Sequence, residues 1–296
     1  MYKKKIRSKQ VYPITLYLFA LLLLFPYGSG AAYAVQGKLT NDQPLPQQET
    51  PLNPTSPTNP VPAKAAKQVA IVIDDFGNNM DGTQEMLNLN IPFTVAVMPF
   101  LPSTKQDAQL AHEKGLEVIM HLPMEPVRGK KSWLGPGAIT TDLSNEEIRK
   151  RVIAAIDDVP YAIGINNHMG SKATADERVM KIIVEVCKER GLMILDSRTT
   201  PKSTIGKLCD QMGVPHTENQ LFFDDIYTYN HISKQMVRFK KLIHDKETSI
   251  AIGHVGPPGK KTAQVIKEAI PSIQQEATFV PISKTVKMPS AKKDVS

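Results

Sequence analysis

Little in this chain of 296 residues is long and apolar, rich in cysteine or strongly biased in charge, and each shortage narrows what it can be. The formal net charge is +7, but Lys3, Lys4, Lys5, Arg7 and Lys9 crowd the first ten positions. Without them 31 basic residues face 29 acidic ones, so the rest has no general electrostatic attraction for nucleic acid. The strongest apolar run, Leu16 to Phe25, is too short to cross a bilayer comfortably. It lies between the basic "MYKKKIRSKQ" and the small residues "AAYA", with Pro26 breaking the helix after it. That is the layout of a secretory signal peptide over residues 1–34, cleaved after Ala34. The alternative is an uncleaved anchor over Val11 to Tyr27, the only part that would then meet a membrane. No cysteine lies near the cleavage region to carry a lipid. The two present, Cys187 and Cys209, either pair outside the cytoplasm or, as the neighbours Val184 and Val186 suggest for Cys187, remain buried thiols. A secreted or extracytoplasmic monomer, in contact with the cell wall, is expected.

Large apolar residues are also scarce over residues 35–67, where "QPLPQQETPLNPTSPTNPVPAKAAK" is rich in Pro, Gln, Thr and Asn. Such a stretch buries too little surface to offset its ordering entropy and reads as a semi-extended tether. Residues 285–296 form a basic tail, either solvated or touching anionic wall polymers or lipid. One folded domain, residues 68–284, remains, and no sequence repeat of fixed period divides it.

Within that domain short apolar runs alternate with amphipathic stretches. Strands are expected at Val69 to Ile73, Phe93 to Met98, Glu117 to His121, Ala162 to Asn166, Met193 to Asp196, Gln220 to Phe223, Ser249 to Gly253 and Thr278 to Ile282. Helices between them carry terminal signals: a cap at Ser103, a capping box of Ser144 with Glu147, and a stop at Gly191. This alternation implies parallel strands joined by right-handed crossovers. The fold class is α/β, a distorted (β/α) barrel of seven or eight parallel strands, with an open doubly wound sheet as the alternative.

In such folds ligands bind at the carboxyl ends of the strands, and the unusual polar residues of this chain gather there. "IDDFG" follows the first strand, and "MHLPMEP", "INNHMGS", "LDSRTT", "FFDD" and "IGHVGPP" follow later ones. His121, His168 and His254 end strands, His112 and His244 fall in helical patterns, and His216 and His231 lie in connections without a clear signal. The adjacent carboxylates Asp74 and Asp75 repel each other, which folding alone does not call for. One or two carboxylates with two histidines at one barrel mouth match a divalent cation site with mixed N/O ligands, most often Zn2+. One aspartate would bind the cation and its neighbour would stay free to take a proton from water.

The set "AIVIDDFG", "HLPMEP", "GINNHMGS", "LDSRTT" and "AIGHVGPP", in this order, resembles the divergent branch of the polysaccharide deacetylases, relatives of the carbohydrate esterases with the chitooligosaccharide deacetylase fold. The resemblance implies metal-dependent removal of acetyl groups from a glycan, with Asp74 as general base, Asp75 as metal ligand and His254 as general acid. The better-studied branch places a second histidine four residues after the first, where this chain has Glu125. His168 is the better replacement, because Pro123 and Pro126 hold the loop around Glu125 extended. The expected metal ligands are thus Asp75, His121 and His168. Asp196 and Arg198 are expected to orient His254 or the base, or else to form a structural salt bridge. Asp224 and Asp225 either line the cleft or cap a helix, and Trp133 either stacks on a sugar ring or packs its own loop. Two other classes compete: a binding or regulatory module that kept the site without turnover, and a phosphoester hydrolase, for which no basic cluster is evident.

Overall fold

A computed structural model describes residues 67–288. The expected signal peptide, the tether except Lys67, and the tail beyond Met288 lie outside the described residues. Nine strands form one sheet: β1 (Lys67–Phe76), β2 (Thr94–Val97), β3 (Glu117–Met124), β4 (Ala162–Met169), β5 (Met193–Asp196), β6 (His216–Glu218), β7 (Leu221–Phe222), β8 (Thr248–His254) and β9 (Ala277–Phe279). Their spatial order is β6-β5-β4-β3-β2-β1-β8-β7, with β9 also on β1, and every pairing between them is parallel. The sheet's two edges, β6 and β7, are consecutive pieces of chain. Asn219 N–H donates to the Asp196 carbonyl beside β6, and Gln220 N–H donates to the Ile250 carbonyl beside β7. A single run of backbone therefore leaves β5 for β8 and completes the curl of a distorted β/α barrel.

Side chains alternate across a strand, so each strand feeds two cores. Ala70, Val72, Ala96, Ile119, Leu195, Ile250 and Ile252 fill the interior of the curl, whereas Val69, Ile71, Ile73, Val95, Val97 and Val118 meet the helices outside. This two-sided burial is why the strands read as continuous apolar runs. The amino end of the barrel is plugged by a 3-10 turn, Ile282–Thr285, whose Ile282 is fully buried in the inner core. Ile282 N–H donates to Thr94 Oγ1 at 3.0 Å, and the Ser283 amide and hydroxyl both donate to Glu117. Lys287 then pairs with His216 in an antiparallel bridge, so ordered contacts continue past residue 284.

The helices are α1 (Thr83–Leu87), α2 (Thr104–Glu113), α3 (Asn145–Asp158), α4 (Glu177–Arg190), α5 (Ile205–Met212), α6 (Tyr229–Asp245) and α7 (Gly259–Gln274). Ser144 Oγ caps α3 by accepting from Glu147 N–H, and α4 stops at Gly191 in the left-handed conformation. Ser103 does not cap α2: its hydroxyl donates to Asp107 and accepts from Asn79 N–H, tying the loop after β1 to α2. β6 was not expected, because "HTE" carries no apolar pattern, and His216 and His231 belong to β6 and α6 rather than to connections. Cys187 and Cys209 are buried free thiols, and burial pushes the Cys209 thiol up to about 12. Among the described residues no helix is long and apolar enough to cross a membrane.

Candidate metal centre and active site

The inward-facing parity of the strands delivers the polar residues to one mouth. Ala70 and Val72 point into the curl, and so does Asp74, two residues on and level with His254 of β8. His121 of β3 stands level with Asn166 of β4, and His168 follows two residues later on the same face. A regular strand would send Asp75 to the opposite face from Asp74. Instead the register of β1 against β2 slips between Ile73 and Phe76, and Asp75 takes the left-handed conformation with φ 69°. This bulge turns both carboxylates toward one opening. Gly77, at φ 118°, closes the bend where an added Cβ would lie 2.9 Å from the Met98 carbonyl oxygen.

Three donor atoms converge there. Asp75 Oδ1 lies 3.3 Å from His121 Nε2 and 3.0 Å from His168 Nδ1, and the two nitrogens are 3.2 Å apart. The remaining nitrogen of each ring faces an acceptor: His121 Nδ1 is 2.8 Å from Asn166 Oδ1, and His168 Nε2 is 3.0 Å from the Trp133 carbonyl oxygen. With the ring protons placed on those bonds, both inner nitrogens present lone pairs to a carboxylate oxygen. Asp75 Oδ1 is shut off from solvent and has no properly aligned hydrogen-bond donor. Three lone-pair atoms packed this closely repel one another unless a positive charge sits among them. Bonds of about 2.0 to 2.1 Å to a tetrahedral ion place its ligand atoms about 3.3 Å apart. The donor set and spacing therefore fit a divalent cation such as Zn2+, held by Asp75, His121 and His168. Asn166 and the Trp133 carbonyl set the two ring orientations.

The electrostatics agree. Burial opposes charge on His121, yet the neighbouring Asp74 and Asp75 outweigh it and raise the imidazole pKa; the pull that favours a proton there favours a cation. Burial alone would raise Asp75, but the two imidazoles and the His254 charge hold it well below the usual carboxylate range. Asp74 goes the other way: fully enclosed, it is raised chiefly by burial, although His121 and His254 pull it down. Asn166 Nδ2 donates to Asp74 Oδ1 at 2.9 Å, so one amide holds both Asp74 and His121.

On the other side of Asp74 stands His254. Its Nδ1 lies 2.7 Å from Asp224 Oδ1, its amide donates to Asp224 Oδ2 at 2.9 Å, and Thr262 Oγ1 donates to the same oxygen at 2.7 Å. Burial would lower the His254 pKa, but the Asp224 bond, with Asp75 and Asp74 beyond it, pushes it to about 10. His254 is therefore an imidazolium at neutral pH.

Residues 71–286 match the sequence model of the divergent polysaccharide deacetylase family. The chain belongs to this family. The chain is similar to the uncharacterized protein YibQ of Escherichia coli K12, 33% identical over 224 residues, 76% of this chain and 69% of that one. An uncharacterized protein of Haemophilus influenzae is 32% identical over 219 residues, 73% of this chain and 75% of that one. The fold is shared with the crystal structure of an uncharacterized protein from Agrobacterium tumefaciens C58, at a TM-score of 0.69 and 17% identity over 76% of this chain and 92% of that one.

Other expected positions in this member of the family fall differently. Asp196 and Arg198 do not reach His254 or Asp74. Asp196 accepts from Arg198 N–H at 2.7 Å, and the two open into a separate cavity of about 470 Å3 with His216 and Gln220. They alternate with Ser197 and Thr199, which line the cleft, and so face away from it; the orienting carboxylate is Asp224 instead. Glu125 is not a ligand: its carboxylate accepts from the Thr141 amide and hydroxyl and from Lys172 Nζ, each at 2.7 Å, and so pins the loop that bears Trp133. Asp225 lines the cleft, as one of its two expected readings had it, and pairs with His231 at the start of α6. Asp224 lines the cleft as one expected reading had it; its hold on His254, and the part played by Asn166, escaped the sequence reading because an amide near a histidine, or a carboxylate after an apolar run, names its partner only once strand register is known.

Proposed function

We propose that this protein is an exported, metal-dependent carbohydrate deacetylase acting on acetylated cell-wall or extracellular polysaccharide. The observation that carries the reading is the closed triangle of Asp75, His121 and His168 flanked by two proton-transfer groups of opposite character, Asp74 and His254. They line a common cleft of about 600 Å3. A divalent ion held by the triangle supplies Lewis acidity toward water and an acetyl carbonyl. Asp74 takes the proton from the attacking water, and its enclosed position makes it a stronger base than an exposed carboxylate. Asn166 keeps one Asp74 oxygen occupied and leaves the other for that proton. His254, charged at neutral pH, gives a proton to the departing amine or alkoxide, and Asp224 keeps its ring turned for the transfer. Among the described residues no lysine or arginine lines the cleft, which speaks against a phosphoester substrate.

The test is metal content and acetate release measured together on the purified protein, with acetylated wall glycan as substrate. Asp74→Asn keeps the shape of the base and removes its function, so acetate release should fall by about 100-fold or more while metal stays bound. Undiminished release in this variant would remove Asp74 from the chemistry. A fully loaded wild type that releases no acetate would favour a glycan-binding module on the same fold.

A further inference from the structure

After Met124 the backbone leaves β3, runs through residues 126–138 and returns at Ile139, which forms a parallel bridge with Met124. Ile139 N–H donates to the Pro123 carbonyl and Glu125 N–H to the Ile139 carbonyl, both at 2.8 Å, so backbone bonds close the neck of this loop. Glu125 adds side-chain bonds across the same neck. Its Oε2 accepts from the Thr141 amide and hydroxyl and its Oε1 from Lys172 Nζ, each at 2.7 Å. Its carbonyl accepts from the Lys172 and Ala173 amides at 3.0 Å. Burial would raise the Glu125 pKa, but Lys172 and Thr141 outweigh it and lower it, so the carboxylate is charged at neutral pH. One residue thus joins the end of β3, the returning limb of the loop and the turn after β4.

The loop carries a group that bears on the metal centre. Trp133 backbone N–H donates to the Lys130 carbonyl at 3.0 Å, closing a 3-10 turn, and the Trp133 carbonyl lies 3.0 Å from His168 Nε2. The two histidines of the triangle are therefore oriented in different ways. His121, with a side chain 1% exposed, is set from within the sheet by Asn166 of β4. His168, 17% exposed, is set from outside the sheet by a loop carbonyl. A ligand ring held in this way is only as steady as the loop that holds it.

We infer that Glu125 is a positioning residue for the metal centre: by clamping the neck of the loop it keeps the Trp133 carbonyl on His168 Nε2, and so keeps His168 Nδ1 aimed into the triangle. Partners of a ligand ring's outer nitrogen set its orientation and basicity, and Glu125 acts on the metal through such a partner without touching it. Linkage makes the coupling reciprocal. If the clamped loop favours the cation, the bound cation favours the clamped loop, and with it the place of Trp133 on the cleft wall. This rests on the metal-centre reading and adds the device that regulates how firmly the centre is held.

The test uses the full-length protein, stripped with chelator and titrated with Zn2+ against a competing chelating dye. Glu125→Gln keeps the Thr141 bonds on its remaining oxygen but turns an NH2 toward the Lys172 ammonium, donor against donor. It should bind Zn2+ about threefold more weakly, and Glu125→Ala, which loses both arms, about tenfold more weakly. Lys172→Met breaks the same arm from the other side, so the double variant Glu125→Gln with Lys172→Met should bind no more weakly than either single one. Trp133 is the only tryptophan in the chain, so nanosecond fluorescence anisotropy reads this loop alone. In the wild type the anisotropy should rise with Zn2+ and saturate near about one equivalent; in Glu125→Ala it should start lower and follow the weaker isotherm. Melts in chelator check that each variant folds, and Glu125→Gln and Lys172→Met carry the test if Glu125→Ala does not. Lowered melting with an unaltered Zn2+ isotherm overturns the inference, because Glu125 would then serve the fold alone. A Trp133 anisotropy indifferent to Zn2+ overturns it too, and both results leave the three ligands in place. A wild type that takes up no Zn2+ overturns the metal centre itself, and the inference with it.

Discussion

Replacing Asp224 with asparagine preserves the size of the side chain and deletes its charge, and so isolates what this enclosed carboxylate does for His254. Both oxygens are committed in the wild type, Oδ1 to His254 Nδ1 and Oδ2 to the His254 amide and the Thr262 hydroxyl. An asparagine oxygen keeps the second pair of bonds only by turning its NH2 toward Nδ1, which must then accept instead of donate. Lost charge and lost acceptor act in the same direction, and the His254 pKa falls from about 10 toward 6.5. At a pH of about 7.5 the protonated fraction drops from nearly all to about one tenth. With His254 as general acid, acetate release there should fall at least tenfold, and the alkaline limb of the kcat profile should move down by about three pH units. Stability follows the same sign. A histidine whose folded pKa lies above its unfolded value contributes fully below pH 6.5 and loses that contribution as the pH rises through about 10. The gap in urea midpoint between wild type and variant should therefore be widest near the acid end and close toward the alkaline end. Initial rates and urea melts across that range measure both. An alkaline limb that stays near pH 10 in the variant would refute the reasoning, because His254 would then hold its proton without Asp224.

Other expectations concern the metal, the bulge and the leader. His121→Ala and His168→Ala should each bind Zn2+ at least tenfold more weakly, since each removes one of three ligands; full occupancy of both by elemental analysis would move the ligand set elsewhere. Asp75→Gly should lose the metal and, in chelator near neutral pH, melt lower than wild type: the imidazoles and the His254 charge that hold the Asp75 pKa well below the usual range stabilise its carboxylate in the fold, which outweighs the relief of a left-handed residue, about 1 kcal/mol. A higher melting point in chelator would mean that backbone strain at the bulge exceeds what the Asp75 charge contributes. The mature protein should begin near Val35 and fractionate outside the cytoplasmic membrane; N-terminal sequencing of native protein that returned Met1 or Tyr2 would favour the anchored form.

Much of the architecture is legible in the chain because strands buried on both faces must be apolar throughout. Val69 to Ile73 and Ser249 to Gly253 stand out for that reason, and the polar residues that interrupt them mark the strand ends. The same logic fails for β6, whose His216, Thr217 and Glu218 are held by their ladder with β5 rather than by apolar periodicity. It also fails to choose between "LDSRTT" and "FFDD". Both place a carboxylate after an apolar run, but after β5 it is Ser197 and Thr199 that face the cleft, with Asp196 turned away beside Arg198, whereas the turn after β7 carries Asp224 under His254. Glu125 shows a third limit. Its spacing from His121 copies a ligand position, yet its partners, Thr141 and Lys172, lie 16 and 47 residues away and are invisible to local spacing.

The adjacent aspartates show how one backbone angle divides two identical side chains between opposite tasks. Continued as a regular strand, β1 would send Asp75 outward, into the layer where Ile71, Ile73 and Val95 meet the helices. A carboxylate there would have no cation and no donor, and burial would drive it to the neutral form. The left-handed turn at Asp75 spends on the order of 1 kcal/mol to avoid that. It also sets unlike surroundings within one dipeptide. Asp74 remains sealed in the barrel on a single amide donor and gains basicity; Asp75 stands at the rim between two imidazoles and loses it. A base and a cation ligand need these opposite tendencies, since the first must accept a proton and the second must refuse one. Two aspartates in ordinary extended geometry cannot supply both at one mouth, so under the proposed function the bulge serves the chemistry as well as the fold.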